Sequence, residues 1–130
     1  MKSSISFPDV DQEFGLINCS SNPMAGIRVA IGPLKGFKVG DVLNLSWEGF
    51  SDSELTVPVP ETLSSLNHFV VQDDIDNGLE KTIGDYFKHI KPIRDGWGKA
   101  SYAINGNEST QASVRVVLLN AAGQTCDEVR

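Results

Sequence analysis

Apolar and polar residues alternate with period two in several short runs along the chain. Ile27, Val29 and Ile31 alternate with Arg28 and Ala30. Leu43, Leu45 and Trp47 alternate with Asn44, Ser46 and Glu48. Ala100, Tyr102 and Ile104 form a third set, and Ala112, Val114, Val116 and Leu118 a fourth. Successive side chains of a strand point to opposite faces, so each set predicts one inward-facing row. Weaker strand patterns cover residues 14–18, 54–59, 67–71 and 79–83. The breaks between runs have turn chemistry: Lys38-Val39-Gly40-Asp41, Asp76-Asn77-Gly78, Asp95-Gly96 and Asn105-Gly106-Asn107. Pro58 and Pro60 confine their segment to an edge or a rim, because each proline removes a ladder donor. Seven or eight short strands separated by turns predict an all-β sandwich or barrel. Residues 79–93 mix a strand with helical spacing around Gly84 and Pro92, so a strand to Ile83 and then a turn, or one short helix near 84–90, is expected there.

Composition narrows the function. The 130 residues suit a single domain with a core over about 14–120 and flexible ends. A net charge of −6 excludes the basic footprint of a nucleic-acid binder or an anionic-membrane binder. No apolar run approaches the roughly 18 residues of a membrane-spanning helix. Met1–Gln12 lacks the apolar stretch of a secretory signal peptide, which leaves a cytoplasmic chain, export by another route, or a piece of a longer protein.

Candidate chemistry is sparse. His68 lies beside Phe69 in a strand pattern and His89 sits between Lys88 and Lys91, so neither pairs with a nucleophile in sequence. There is no GxSxG elbow and no phosphate-binding loop. Asp73, Asp74, Asp76 and Asn77 suggest a calcium loop, but Ile75 and Gly84 stand where an EF-hand needs oxygen ligands, and a solvated acidic turn is the preferred reading. No catalytic residue, metal or cofactor is assigned. Phe37, Phe50, Tyr86, Phe87 and Trp97 fall in predicted turns or rims. Phe50, Tyr86, Phe87 and Trp97 are the candidate binding residues, because loop aromatics on a rigid sandwich suit a protein hot spot or a sugar ring. The opposing reading has two or three of these rings folding back to cap the open ends.

One stretch of the pattern resembles a known family. Gly40-Asp41 leads to a strand with Leu45, Trp47 and Gly49. An acidic turn at 73–78, a proline-bearing rim at 90–93, Asp95-Gly96 and a strand with Ser101-Tyr102 follow, and a last strand covers 109–118. Over residues 25–120 the chain resembles the bacterial immunoglobulin-like repeat domains of Gram-negative surface and secreted proteins. The resemblance implies an immunoglobulin-like sandwich of about seven strands with Trp47 and Tyr102 in its core. It also implies a non-enzymatic interaction module that binds a protein through loops or an edge strand, further copies of itself included. A lectin-like glycan binder using the loop aromatics is the alternative. Such a fold commonly sets its first and last strands side by side and parallel. That would bring Cys19 and Cys126, otherwise two separate thiols, within bridging distance.

Overall fold

A computed structural model describes residues 4–11 and 13–128, apart from the side chains of residues 108 and 109. The outermost parts of the expected 1–130 domain, 1–3 and 129–130, lie outside the described residues. In chain order the strands are β1 (Ile5–Ser6), β2 (Leu16–Ile17), β3 (Ile27–Ile31), β4 (Val42–Phe50), β5 (Ser64–Phe69), β6 (Leu79–Ile83), β7 (Asp95–Ile104) and β8 (Asn107–Val117). They form a three-stranded sheet, β1-β3-β6, and a five-stranded sheet, β2-β8-β7-β4-β5, the two layers of a β-sandwich. Every pairing is antiparallel except β2 with β8, which run parallel.

The alternating sets do what their period requires. Ile27, Val29 and Ile31 from the small sheet meet Leu43, Leu45, Trp47, Ala100, Tyr102, Ile104, Val114 and Val116 from the large one in a single apolar core. Trp47 is completely buried, and its indole N–H donates to the His89 carbonyl at 3.1 Å. Phe7 meets the Trp47 ring edge-on, with centroids 6.3 Å apart. Gly98 on the neighbouring strand makes room for the indole, since a Cβ there would overlap the Trp47 ring. Asn105 and Gly106, both at positive φ, close the β7–β8 hairpin as a two-residue turn.

Several weaker expectations are corrected. Residues 54–59 form no strand. The Asp52 carboxylate accepts the N–H groups of Thr56 and Val57 instead, which folds the segment into a loop that touches the sheet at one Phe50–Pro58 bridge. The pattern at 14–18 contracts to two residues, and that at 67–71 moves upstream to begin at Ser64. The acidic turn at 73–78 is an α-helix, α1 (Gln72–Asn77), ended by Gly78 at positive φ. Asp73 and Asp76 sit on it as i,i+4 partners of Asn77 and Gln72. Near 84–90 the chain makes a π-helical turn, Tyr86–Ile90, with Asp85 capping the Lys88 N–H, and then a short 3₁₀ turn, Lys91–Ile93.

Candidate functional site: the lateral edges of the sheets

An open sheet ends in unpaired main-chain N–H and C=O groups, which invite another strand unless they are blunted by shortness, charge, proline or a cover. Here the two sheets end in β1 and β6, and in β2 and β5. β1 and β2 are two residues long. β6 carries Glu80 and Lys81, with Glu80 bound to the Arg28 guanidinium at 2.6 Å. β5 differs from all three. Its six residues, Ser64-Ser65-Leu66-Asn67-His68-Phe69, include no Asp, Glu, Lys or Arg and no proline.

The orientation of β5 follows from its neighbour. Asn105 N–H donates to the Val42 carbonyl at 2.8 Å, so Val42 turns its main-chain groups toward β7. In an antiparallel ladder this direction alternates. Leu43, Leu45 and Trp47 therefore turn toward β5, where they stand opposite His68, Leu66 and Ser64. Ser65 and Asn67 are left with N–H and C=O groups directed at the free edge. Their side chains are exposed on the outer face, in line with Leu63 (61% exposed) and Phe69 (68% exposed).

Both ends of this edge are held. At the upstream end, Thr62 is fully buried and its hydroxyl accepts the Gly49 N–H at 2.9 Å. At the downstream end, His68 Nε2 lies 2.7 Å from Asp74 Oδ2, and the same oxygen accepts the Val71 N–H at 2.9 Å. Asp74 is almost wholly buried, and the pair ties α1 to the end of β5. His89 plays a separate part, its Nδ1 accepting the Asp85 N–H at 2.8 Å.

The four aromatics expected to form a binding surface do not come together as one. Phe50 is buried on the outer side of β4, with the Lys99 ammonium 5.4 Å from its ring centre and the 52–58 loop bridged to its main chain. Tyr86 is buried too, because its hydroxyl finds a partner in Asp127 at 2.9 Å. Trp97 lies within β7 rather than in a turn. It is half-buried between its cross-strand neighbours Phe50 and Arg115, with the guanidinium 5.6 Å from the ring centre. Of the four, Phe87 alone is well exposed. It lines an open cavity of about 480 Å³ with Pro60, Glu61, Lys88, His89 and Pro92.

The opposite edge of the large sheet is capped at Leu16, whose carbonyl accepts the Asp11 N–H at 2.8 Å, and a latch holds the turn that follows β2. Cys19 and Cys126 are joined by a disulfide, with Cα atoms 5.4 Å apart. Beside it Asp127 receives Lys91 Nζ at 2.8 Å, the Tyr86 hydroxyl at 2.9 Å and the Thr125 hydroxyl at 3.0 Å. The ammonium of Lys91 and these hydroxyls lower the Asp127 carboxyl to about 2. Burial raises the Tyr86 phenol, and the Asp127 carboxylate adds to that shift. Among the described residues no group of three or more His, Cys, Asp or Glu is placed to hold a metal ion, and no helix is long and apolar enough to cross a membrane.

The β5 edge was legible only in part beforehand. The strand pattern reached back only to Asn67, and the missed signal was the absence of Asp, Glu, Lys and Arg from 62 to 72 in an acidic chain. The His68–Asp74 contact has no periodic signature, because it joins a strand to a helix across a bend. Comparison of the chain with protein-family models, curated proteins and solved structures found no match.

Proposed function

We propose that this chain is an immunoglobulin-like interaction module that binds a protein partner by strand addition at the free edge of β5. The immunoglobulin-like reading draws support from connectivity: β1-β3-β6 facing β2-β8-β7-β4-β5, with the chain's early strand β2 parallel to its last, β8. The binding reading is carried by one observation. β5 is the only edge strand among the described residues that is neither shortened to two residues nor charged. An extended segment laid against it would gain main-chain hydrogen bonds from Ser65 and Asn67, and side-chain selection from the exposed Leu63 and Phe69. The glycan alternative rested on a platform of four loop aromatics, and two of those rings are buried.

A photo-crosslinking residue at Ser65 tests this. Irradiated in the protein's own cell, it should give protein adducts, while the same residue at Gln111, exposed on β8, should not. Adducts equal from both positions, or absent from Ser65, would reject the edge as the binding site.

A further inference from the structure

We infer that the strand added at β5 is β5 of a second copy of this chain, in a two-fold antiparallel pair centred on Leu66. This rests on the strand-addition reading and names its partner.

The segment from Leu63 to Phe69 reads apolar-polar-polar-apolar-polar-polar-apolar, a palindrome about Leu66. A two-fold axis at the centre of an antiparallel pair places residue 66 opposite itself, 65 opposite 67 of the mate and 63 opposite 69 of the mate. Each match joins like with like. On the outer face the exposed Leu63 meets the exposed Phe69 of the mate, once at each end, and Ser65 meets Asn67 between them. On the inner face Leu66 meets Leu66, and Ser64 meets His68. Residues 63, 65, 67 and 69 share one face in both copies, so the pairing keeps the sheet's inner and outer sides in register, as a one-residue slip would not. The free main-chain groups of Ser65 and Asn67 fall opposite each other and complete the ladder.

Charge permits the same occupant at this edge. Each copy carries −6, so two copies repel over most approaches, but the stretch from 62 to 72 holds no Asp, Glu, Lys or Arg. Like charges placed directly opposite would oppose pairing, and this edge has none to place. An isologous contact of this kind closes after two copies, joining two five-stranded sheets into one of ten strands.

Sedimentation of the full chain from micromolar to millimolar concentration, at moderate salt to screen the net charge, reads the dimer directly. Asn67→Pro is the sharpest variant. Its lost N–H points at the free edge, where proline is compatible with the fold, and only the Asn44–Asn67 side-chain bond is given up. We expect its dimer dissociation constant to rise at least tenfold with the melting temperature nearly unchanged. The Ser65→Lys/Asn67→Lys double variant, which sets lysines opposite lysines, should do the same and serves if the proline disturbs folding. Register is read by mixing Ser65→Cys with Asn67→Cys: mild oxidation should favour the mixed crosslink over either homodimer. A dimer indifferent to these substitutions, or equal crosslinking of all combinations, would overturn the pairing. A chain monomeric to millimolar whose Ser65 photo-crosslinker captures a different protein would overturn self-pairing and leave strand addition standing. A monomer with no Ser65 adduct would remove both.

Discussion

The two lateral edges of the five-stranded sheet solve the same problem in opposite ways. At the β2 edge the strand is two residues long, runs parallel to β8, and continues into a turn whose Cys19 is bonded to Cys126. The tail carrying Cys126 is further pinned through Asp127 to Lys91 and Tyr86. At the β5 edge six residues extend with no covalent tie and no Asp, Glu, Lys or Arg. Only the ends are secured, by Thr62 and by the His68–Asp74 pair. One edge is closed by local chemistry and its stability depends on that chemistry. The other is held at its ends by its anchors and leaves Ser65 and Asn67 exposed between them.

The sharpest way to break this contrast is to remove the latch. Reducing the disulfide, or replacing both cysteines by serine, releases a loop of 107 residues in the unfolded chain and should cost about 4–5 kcal/mol in the chain-entropy account. Chemical denaturation should show that loss, and hydrogen exchange should place the earliest opening at β2 and the tail, with the Leu66 and His68 amides, which face β4, protected longer. A uniform loss of protection would mean that the latch stabilises both edges alike.

Trp47→Ala is the symmetric counterpart. The indole is buried at the middle of the core and bonded to the His89 carbonyl, so its truncation should cost about 3–5 kcal/mol and weaken both edges together. Native-like denaturation midpoints would contradict its place in the core.

His68→Ala acts on the β5 side alone. It leaves the buried Asp74 carboxylate with one partner fewer, a loss of about 1–3 kcal/mol. Exchange of the α1 amides should accelerate while the tail stays protected. Equal acceleration at the tail would show the two edges to be coupled.

The smallest effect concerns acid. Asp127 is held at about 2 in the folded chain, below its ordinary value of 3.8. The folded state therefore binds this proton less readily than the unfolded one. Its stabilisation is complete above about pH 4 and is lost as the pH falls through the folded value. Asp127→Asn should flatten the decline in melting temperature between about pH 4 and 2. An unchanged acid profile would show that the carboxylate contributes nothing to the latch.

Much of the sandwich could be read before any fold was known. The rows Ile27-Val29-Ile31, Leu43-Leu45-Trp47 and Ala100-Tyr102-Ile104 are inward in the structure as their period requires, because the side-chain direction of a strand is a local property of the backbone. The Asn105-Gly106 turn was equally local, since its positive φ angles are a preference of those residue types. The binding surface was less legible. Phe50 and Tyr86 had the sequence context of rim residues, and nothing local recorded the loop bridged to one or the carboxylate, 41 positions away, that satisfies the other.

The sequence by itself determined the period, the inward rows, the turns and the charge-free stretch around β5, all of which depend on residues close along the chain. Only the tertiary structure decided which strands stand at an edge, which aromatics are covered, and that an aspartate six residues on from His68 anchors the open one. An edge is defined by the strand that is not beside it. That is a property of the whole sheet's order, and no window of sequence contains it.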